Sequence, residues 1–217
     1  MKASAALALA LTALFVSVTT VSQAQVMLMA RPKIDGGLVG NPVAQKELSL
    51  TDAQKTKLQD LMKKLSENHI EINGGSQEEM QQQLKEYADN TDKMVLDGLK
   101  AVLDEKQMTR FMQLNRQAQG IRGFTDKDAK TTLVLTDDQM KKLESITATY
   151  ETEESELMSS LMQTSANGEM MVIGKEESKK IATLAAKFYD KGFEVLTPEQ
   201  KTKWSEMIGT KVDLTNW

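Results

Sequence analysis

The chain has 217 residues, with 27 Lys and Arg against 31 Asp and Glu, a single His and no Cys. A net charge of −4 argues against nucleic acid as a partner, and without Cys the fold must be held by packing alone. Three Pro, few aromatics and many Lys, Glu, Gln, Leu, Met and Ala, side chains that lose little freedom in a helix, indicate an all-α protein.

Lys2 precedes a run from Ala5 to Val18 that is almost free of polar side chains, and Ser22-Gln23-Ala24 puts small residues where a signal peptidase reads. This predicts a signal peptide over residues 1–24, cleavage after Ala24, and a mature protein that is periplasmic or secreted. The run is shorter than the ~20 residues of a membrane-spanning helix and nothing later is as apolar, so no stable membrane insertion is expected. Cleavage removes one Lys and no acid, which leaves 26 basic against 31 acidic residues and a net charge of −5. Residues 25–42 are rich in Gly and Pro between Arg31 and Pro42, and read as a flexible lead with the fold beginning near Val43. The mature length suits one domain or two small ones.

A helix-start signal follows, written four times. Leu50-Thr51-Asp52-Ala53-Gln54 is echoed by Leu103-Asp104-Glu105-Lys106-Gln107, by Leu135-Thr136-Asp137-Asp138-Gln139 and by Leu196-Thr197-Pro198-Glu199-Gln200. Thr or Asp accepts a hydrogen bond from an orphan N–H of the first turn, and Gln three residues on reaches back to the cap residue's own N–H, forming a capping box. Pro198 falls at the first helical position, and Asp52, Glu105, Asp137, Asp138 and Glu199 set negative charge against the helix dipole. Seven residues past each cap stand Leu58, Phe111, Leu143 and Trp204, and ten past it stand Leu61, Leu114, Ile146 and Met207, on one helical face. The role of the motif residues is structural.

In chain order, Leu58, Leu61, Met62, Leu65, His69 and Ile72 predict a helix from Thr51 that stops at Asn73-Gly74-Gly75. Ser76 with Glu79 starts a second helix that turns Met80, Leu84, Tyr87, Met94, Val95 and Leu99 inward, and Asp104 starts a short helix ending near Gly120. Residues 121–132 read as a polar linker containing Phe124. From Thr136 a long helix carries Met140, Leu143, Thr147, Tyr150, Leu157, Met158 and Leu161, and a loop runs from Asn167 to Gly174. Ile181, Leu184, Ala185 and Phe188 then mark a helix before Thr197. The expected organisation is two tandem repeats, 43–120 and 133–217, each a long helix, loop, helix and short helix. The second arm is the longer one: Thr136 to Gly168 covers 32 residues, Thr51 to Gly74 only 23.

This pattern resembles the LTxxQ-motif proteins of the bacterial periplasm, the Spy and CpxP group, over most of residues 43–211. Leu50, Thr51, Gln54, Leu103, Gln107, Leu135, Thr136, Gln139, Leu196, Thr197 and Gln200 carry the resemblance, with Asp104 standing where the other copies have Thr. The resemblance implies helical hairpins, two of which pair antiparallel as a thin cradle. Four motifs in one chain then imply an intramolecular Spy-like pseudo-dimer. It also implies an ATP-independent chaperone or envelope-stress adaptor for unfolded or partner protein segments, either monomeric or homodimeric. A scaffold for one dedicated folded partner is the alternative, and a metal-sequestering protein is the least favoured reading.

Neither catalysis nor a cofactor is expected. His69 with Glu67 or Glu71 is poorer in nitrogen and sulfur than zinc usually wants. Asp126-Lys127-Asp128 opens like a calcium loop, but Thr131 stands where its Gly belongs. The acid run Glu151 to Glu156 reads as a solvated helix face, and a single His leaves little room for a catalytic triad. Most Met residues sit at core spacing. Met170 and Met171, in a loop, are the candidates for an adaptable client-binding surface.

Overall fold

The computed structural model describes residues 32–68, 75–164 and 174–214. Among these the chain is all-helical, with eight α-helices and no strand: α1 (Pro42–Glu47), α2 (Asp52–Glu67), α3 (Gln77–Lys100), α4 (Glu105–Gln119), α5 (Lys127–Leu133), α6 (Asp137–Thr164), α7 (Lys175–Glu194) and α8 (Pro198–Ile208). Two 3-10 turns, Gly36–Gly40 and Gly120–Thr125, precede α1 and α5. The stretch 1–24 and residues His69, Ile72, Met170 and Met171 lie outside the described residues. No helix among the described residues is long and apolar enough to cross a membrane.

The helices start where capping chemistry permits. Thr51, Ser76, Asp104 and Thr197 each close a full capping box, with extended backbone at the cap and the N3 side chain returned to the cap's N–H. The position seven past each motif cap is the centre of the core: Leu58, Phe111, Leu143 and Trp204 are all at most 1% exposed. Burying side chains of this size contributes roughly 1.5–3 kcal/mol each. α2 ends at Glu67, short of Ile72, because Asn68 turns extended; its amide donates to Thr91 Oγ1 and its carbonyl accepts from the Tyr87 hydroxyl.

Two expected loops are folded. Residues 32–42, read as a flexible lead, bury Ile34, Leu38 and Val39 and are pinned by Asn115 and Asp92, whose side chains accept from Asp35 N and Ile34 N. Gly36 reflects close approach, not freedom: a Cβ there would lie 2.8 Å from Leu65 Cδ1 and 3.1 Å from Val95 Cγ2. Residues 121–132, read as a polar linker, form the second 3-10 turn and most of α5, and bury Ile121, Phe124 and Ala129.

These two corrections share a cause. Asn41 and Asp126 are spaced like Thr51 and Thr136, 85 residues apart, and both are N-caps, of α1 and α5. Ala44 and Ala129, both wholly buried, keep the same spacing. Ser49 and Val134 do so too, and both are left-handed, at φ 48° and 53°. Each helix stops by the same device: Leu50 N donates to Gln45 O, and Leu135 N to Lys130 O, five residues back, as in a Schellman motif. The repeat therefore begins with a 3-10 turn and a short helix that lie ahead of its first motif copy.

Each repeat owns a core. In the first, α2 pairs with α3 while the 3-10 turn packs on α2 and α1 on α4; the second repeats this with α6, α7, α5 and α8. The repeats meet where α4 packs on α8, and the tail after α8 returns to the first. After α4, Ile121 and Phe124 enter the second core; after α8, Val212 and Leu214 pack on the first. The cores are filled differently. Phe124 stands where the first repeat has Val39 and stacks on Trp204 at 4.2 Å, while Gly192 stands where the first has Leu99. A Cβ on Gly192 would strike Ile121 Cδ1 and the Phe124 ring.

Candidate functional site

The motif glutamines do more than cap. Gln54 Oε1 accepts from Thr51 N at 3.0 Å, while its Nε2 donates to Gln107 Oε1 at 2.7 Å and to Val102 O at 3.0 Å. Gln107 answers in kind: its Oε1 accepts from Asp104 N, and its Nε2 donates to Gln54 Oε1 at 3.2 Å and to Leu48 O at 3.0 Å. The second repeat reproduces the set. Gln139 Nε2 donates to Gln200 Oε1 at 2.7 Å and Val195 O at 3.1 Å, and Gln200 Nε2 to Gln139 Oε1 and Leu133 O, both at 3.1 Å. Each amide thus uses both donors and both acceptor sites. Glu could cap as well but has no donor for the carbonyls, which gives a physical reason for Gln at these four positions. Leu50, Leu103, Leu135 and Leu196, each next to a cap residue, are buried.

A cleft opens where the repeats meet. It encloses about 570 Å³, walled on one side by Ala182, Ala185, Ala186 and Tyr189 of α7, on another by Gly37, Leu38 and Asn41, and on a third by Ile208 and residues 211–214. Its shape depends on the tail after α8. Gln117 donates to Ile208 O at 2.7 Å and Thr210 O at 2.9 Å and accepts from Val212 N at 3.0 Å; Arg110 holds Thr210 O, and Asn41 Nδ2 holds Leu214 O at 3.2 Å. Tyr189 is fixed as well, its hydroxyl accepting from Trp204 Nε1 at 3.0 Å and its ring covered by Lys211 Nζ at 5.0 Å. The floor and walls are mainly apolar. Asp35, Asp190, Asp213 and Lys211 stand exposed at the rim.

Beside the seam lies a buried charged cluster. Arg122 donates to Glu154 at 2.6 Å and Glu151 at 3.2 Å, its guanidinium lies 4.7 Å from the Tyr150 ring centroid, and the Tyr150 hydroxyl donates to Glu154 at 2.6 Å. Burial, then the hydrogen bond to Glu154, pushes the Tyr150 phenol up to about 12. Burial alone would lower Arg122, but Glu154 outweighs it and the guanidinium is held more firmly protonated than usual. The cluster ties the second 3-10 turn to α6. Among the described residues no three His, Cys, Asp or Glu side chains converge as a metal site.

Comparison with known proteins finds no matching family model, curated protein or solved structure. The functional reading therefore stands on this chain's own residues and on the motif resemblance. The cleft residues were not legible as a site: Ala182, Ala185 and Ala186 look like ordinary helix filler, and Asn41 and Gln117 carry no local pattern. The spacing of the three Ala on one face of α7, beside a longer apolar stripe, is the one signal available.

Proposed function

We propose that this is an exported, non-enzymatic binding protein, periplasmic or secreted, that holds unfolded or partner protein segments without ATP in the manner of the Spy and CpxP group. The observation that carries the reading is the cleft: a largely apolar site of about 570 Å³, open to solvent, at the seam of two helical repeats. Packing of the equivalent helices α4 and α8 on each other supports a further part of the proposal. It is the contact that twofold pairing would make, so the chain would build within itself the pair that the resembled family builds from two copies. Met170 and Met171 remain candidates for an additional client contact.

One observation favours a scaffold for a single dedicated partner. Among the described residues Val134 is the large apolar side chain left mainly exposed, at 71%, so these residues present no row of mainly exposed large apolar side chains along one face.

The test is light scattering of two unrelated denatured clients mixed near equimolar with the mature protein, without ATP. Suppression of both, weakened by Ala186→Trp in the cleft wall, supports the chaperone reading. No effect on either sinks it and leaves the dedicated-partner scaffold.

A further inference from the structure

We propose that the cleft at the repeat seam selects apolar segments that carry a Lys or Arg beside their apolar residues, with Asp190 and Asp35 reading the charge. The proposal rests on the reading of that cleft as the binding site and names the chemistry of its occupant. Three observations carry it.

The first is the shape of the walls. Ala182, Ala185 and Ala186 fall three and four apart on one face of α7, so the wall presents methyl groups and leaves room for side chains brought by a partner. The second is the charge at the mouth. Two exposed carboxylates, Asp35 and Asp190, share the mouth with one exposed ammonium, Lys211. Lys211 is drawn onto the Tyr189 ring at 5.0 Å, and Asp35 spends one oxygen on Gly37 N at 2.9 Å. The mouth is left net negative above an apolar floor. The third is what that combination rejects. A fatty acid or phospholipid would enter with an anionic head against these carboxylates, and an acidic peptide would meet the same repulsion, whereas a cationic apolar segment gains at both levels.

The test uses the mature protein and two fluorescein-labelled peptides of the same Leu and Ala core, one flanked by Lys and one by Glu, read by anisotropy. The Lys-flanked peptide should bind about fivefold to tenfold more tightly at low salt, as expected for one or two exposed charge pairs, and most of the preference should vanish at 0.5 M salt, roughly where screening becomes short-ranged. Asp190→Lys should erase or invert the preference while leaving the unfolding midpoint in place, and Ala186→Trp should abolish binding of both peptides. Equal or tighter binding of the Glu-flanked peptide, displacement by oleate at low concentration, or a preference untouched by Asp190→Lys would overturn the proposal. If neither peptide binds while client aggregation is still suppressed, the charge selection fails and the chaperone reading survives; if suppression is absent too, both fall.

Discussion

Gln54 and Gln107, 53 residues apart in sequence, donate to each other's carbonyl oxygen at 2.7 and 3.2 Å, and so tie the start of α2 to the start of α4. The same double bond joins Gln139 to Gln200 in the second repeat. One side chain thereby serves as local cap and as long-range clamp.

Replacing a clamp residue should cost more than a lost cap. Gln200→Ala gives up the acceptor for Thr197 N and the donors to Gln139 and Leu133, and leaves the Leu133 carbonyl buried without its partner. The expected loss is about 2–4 kcal/mol, against ~1 kcal/mol for a cap alone. Urea unfolding measures it. A double-mutant cycle of Gln54→Ala with Gln107→Ala should return a coupling of roughly 1 kcal/mol or more, and strict additivity would refute the clamp.

Val134 is a β-branched residue held left-handed at φ 53° and exposed at 71%. Its equivalent, Ser49, shares the conformation. Since the fold needs the turn and not the side chain, Val134→Gly should raise stability by about 0.5–1 kcal/mol, the relief of left-handed strain less the added entropy of the unfolded chain. A lowered unfolding midpoint would mean that the Val side chain is itself in use.

The charged cluster between the second 3-10 turn and α6 gives an alkaline signature. The Tyr150 phenol, pushed up to about 12 by burial and the bond to Glu154, keeps its proton in the folded protein after the unfolded chain has released it near 10. The raised folded value means that this contribution to stability is complete below about pH 10 and is lost as the pH climbs towards 12. Phenolate absorbance should show one tyrosine ionising late, absent in Tyr150→Phe and shifted to the ordinary range in urea. Arg122→Met, which takes the guanidinium away from the buried Glu154 carboxylate, should cost about 3 kcal/mol in urea unfolding at neutral pH.

Asn41 joins two jobs in one amide: its oxygen accepts from Val43 N and Ala44 N, and its Nδ2 donates to Leu214 O. Asn41→Asp keeps the cap and loses the donor, so the tail should loosen first, seen as faster tryptic cutting after Lys211 with little change in overall unfolding. Asn41→Ala loses both, and about 1–2 kcal/mol with them.

The parts of this fold that were legible in the sequence are those set by local chemistry. Thr51, Asp104, Thr136 and Thr197 cap helices because a hydroxyl or carboxylate three residues from a Gln can do little else ahead of an apolar stripe. Leu58, Phe111, Leu143 and Trp204 are buried because the same stripe must face inward. What was not legible depends on partners distant in the chain. Gly36 looks like flexibility until Leu65 and Val95 are seen pressing on its backbone, and Asn41-Pro42 looks like a break although it is a cap followed by a proline at the first helical position. Phe124 seemed marooned in polar surroundings since Trp204, its stacking partner, lies 80 residues on. The candidate cleft was hidden for the same reason: its walls come from α7, the first 3-10 turn and the tail, which no local pattern connects.

The contrast between Val39 with Leu99 and Phe124 with Gly192 bears on the ancestry of the chain. If the two halves began as copies, one of them crossed from one filling to the other, in whichever direction. A side chain at 192 presses on the Phe124 ring and, more closely, on Ile121 Cδ1, which stands where the first half has Gly36, so the large set is overcrowded. Val opposite Gly leaves only a hollow, which weakens a protein without forbidding its shape. A looser intermediate is thus open to a chain that keeps its shape while the two fillings diverge, and sterics bear on the order in which the three positions change.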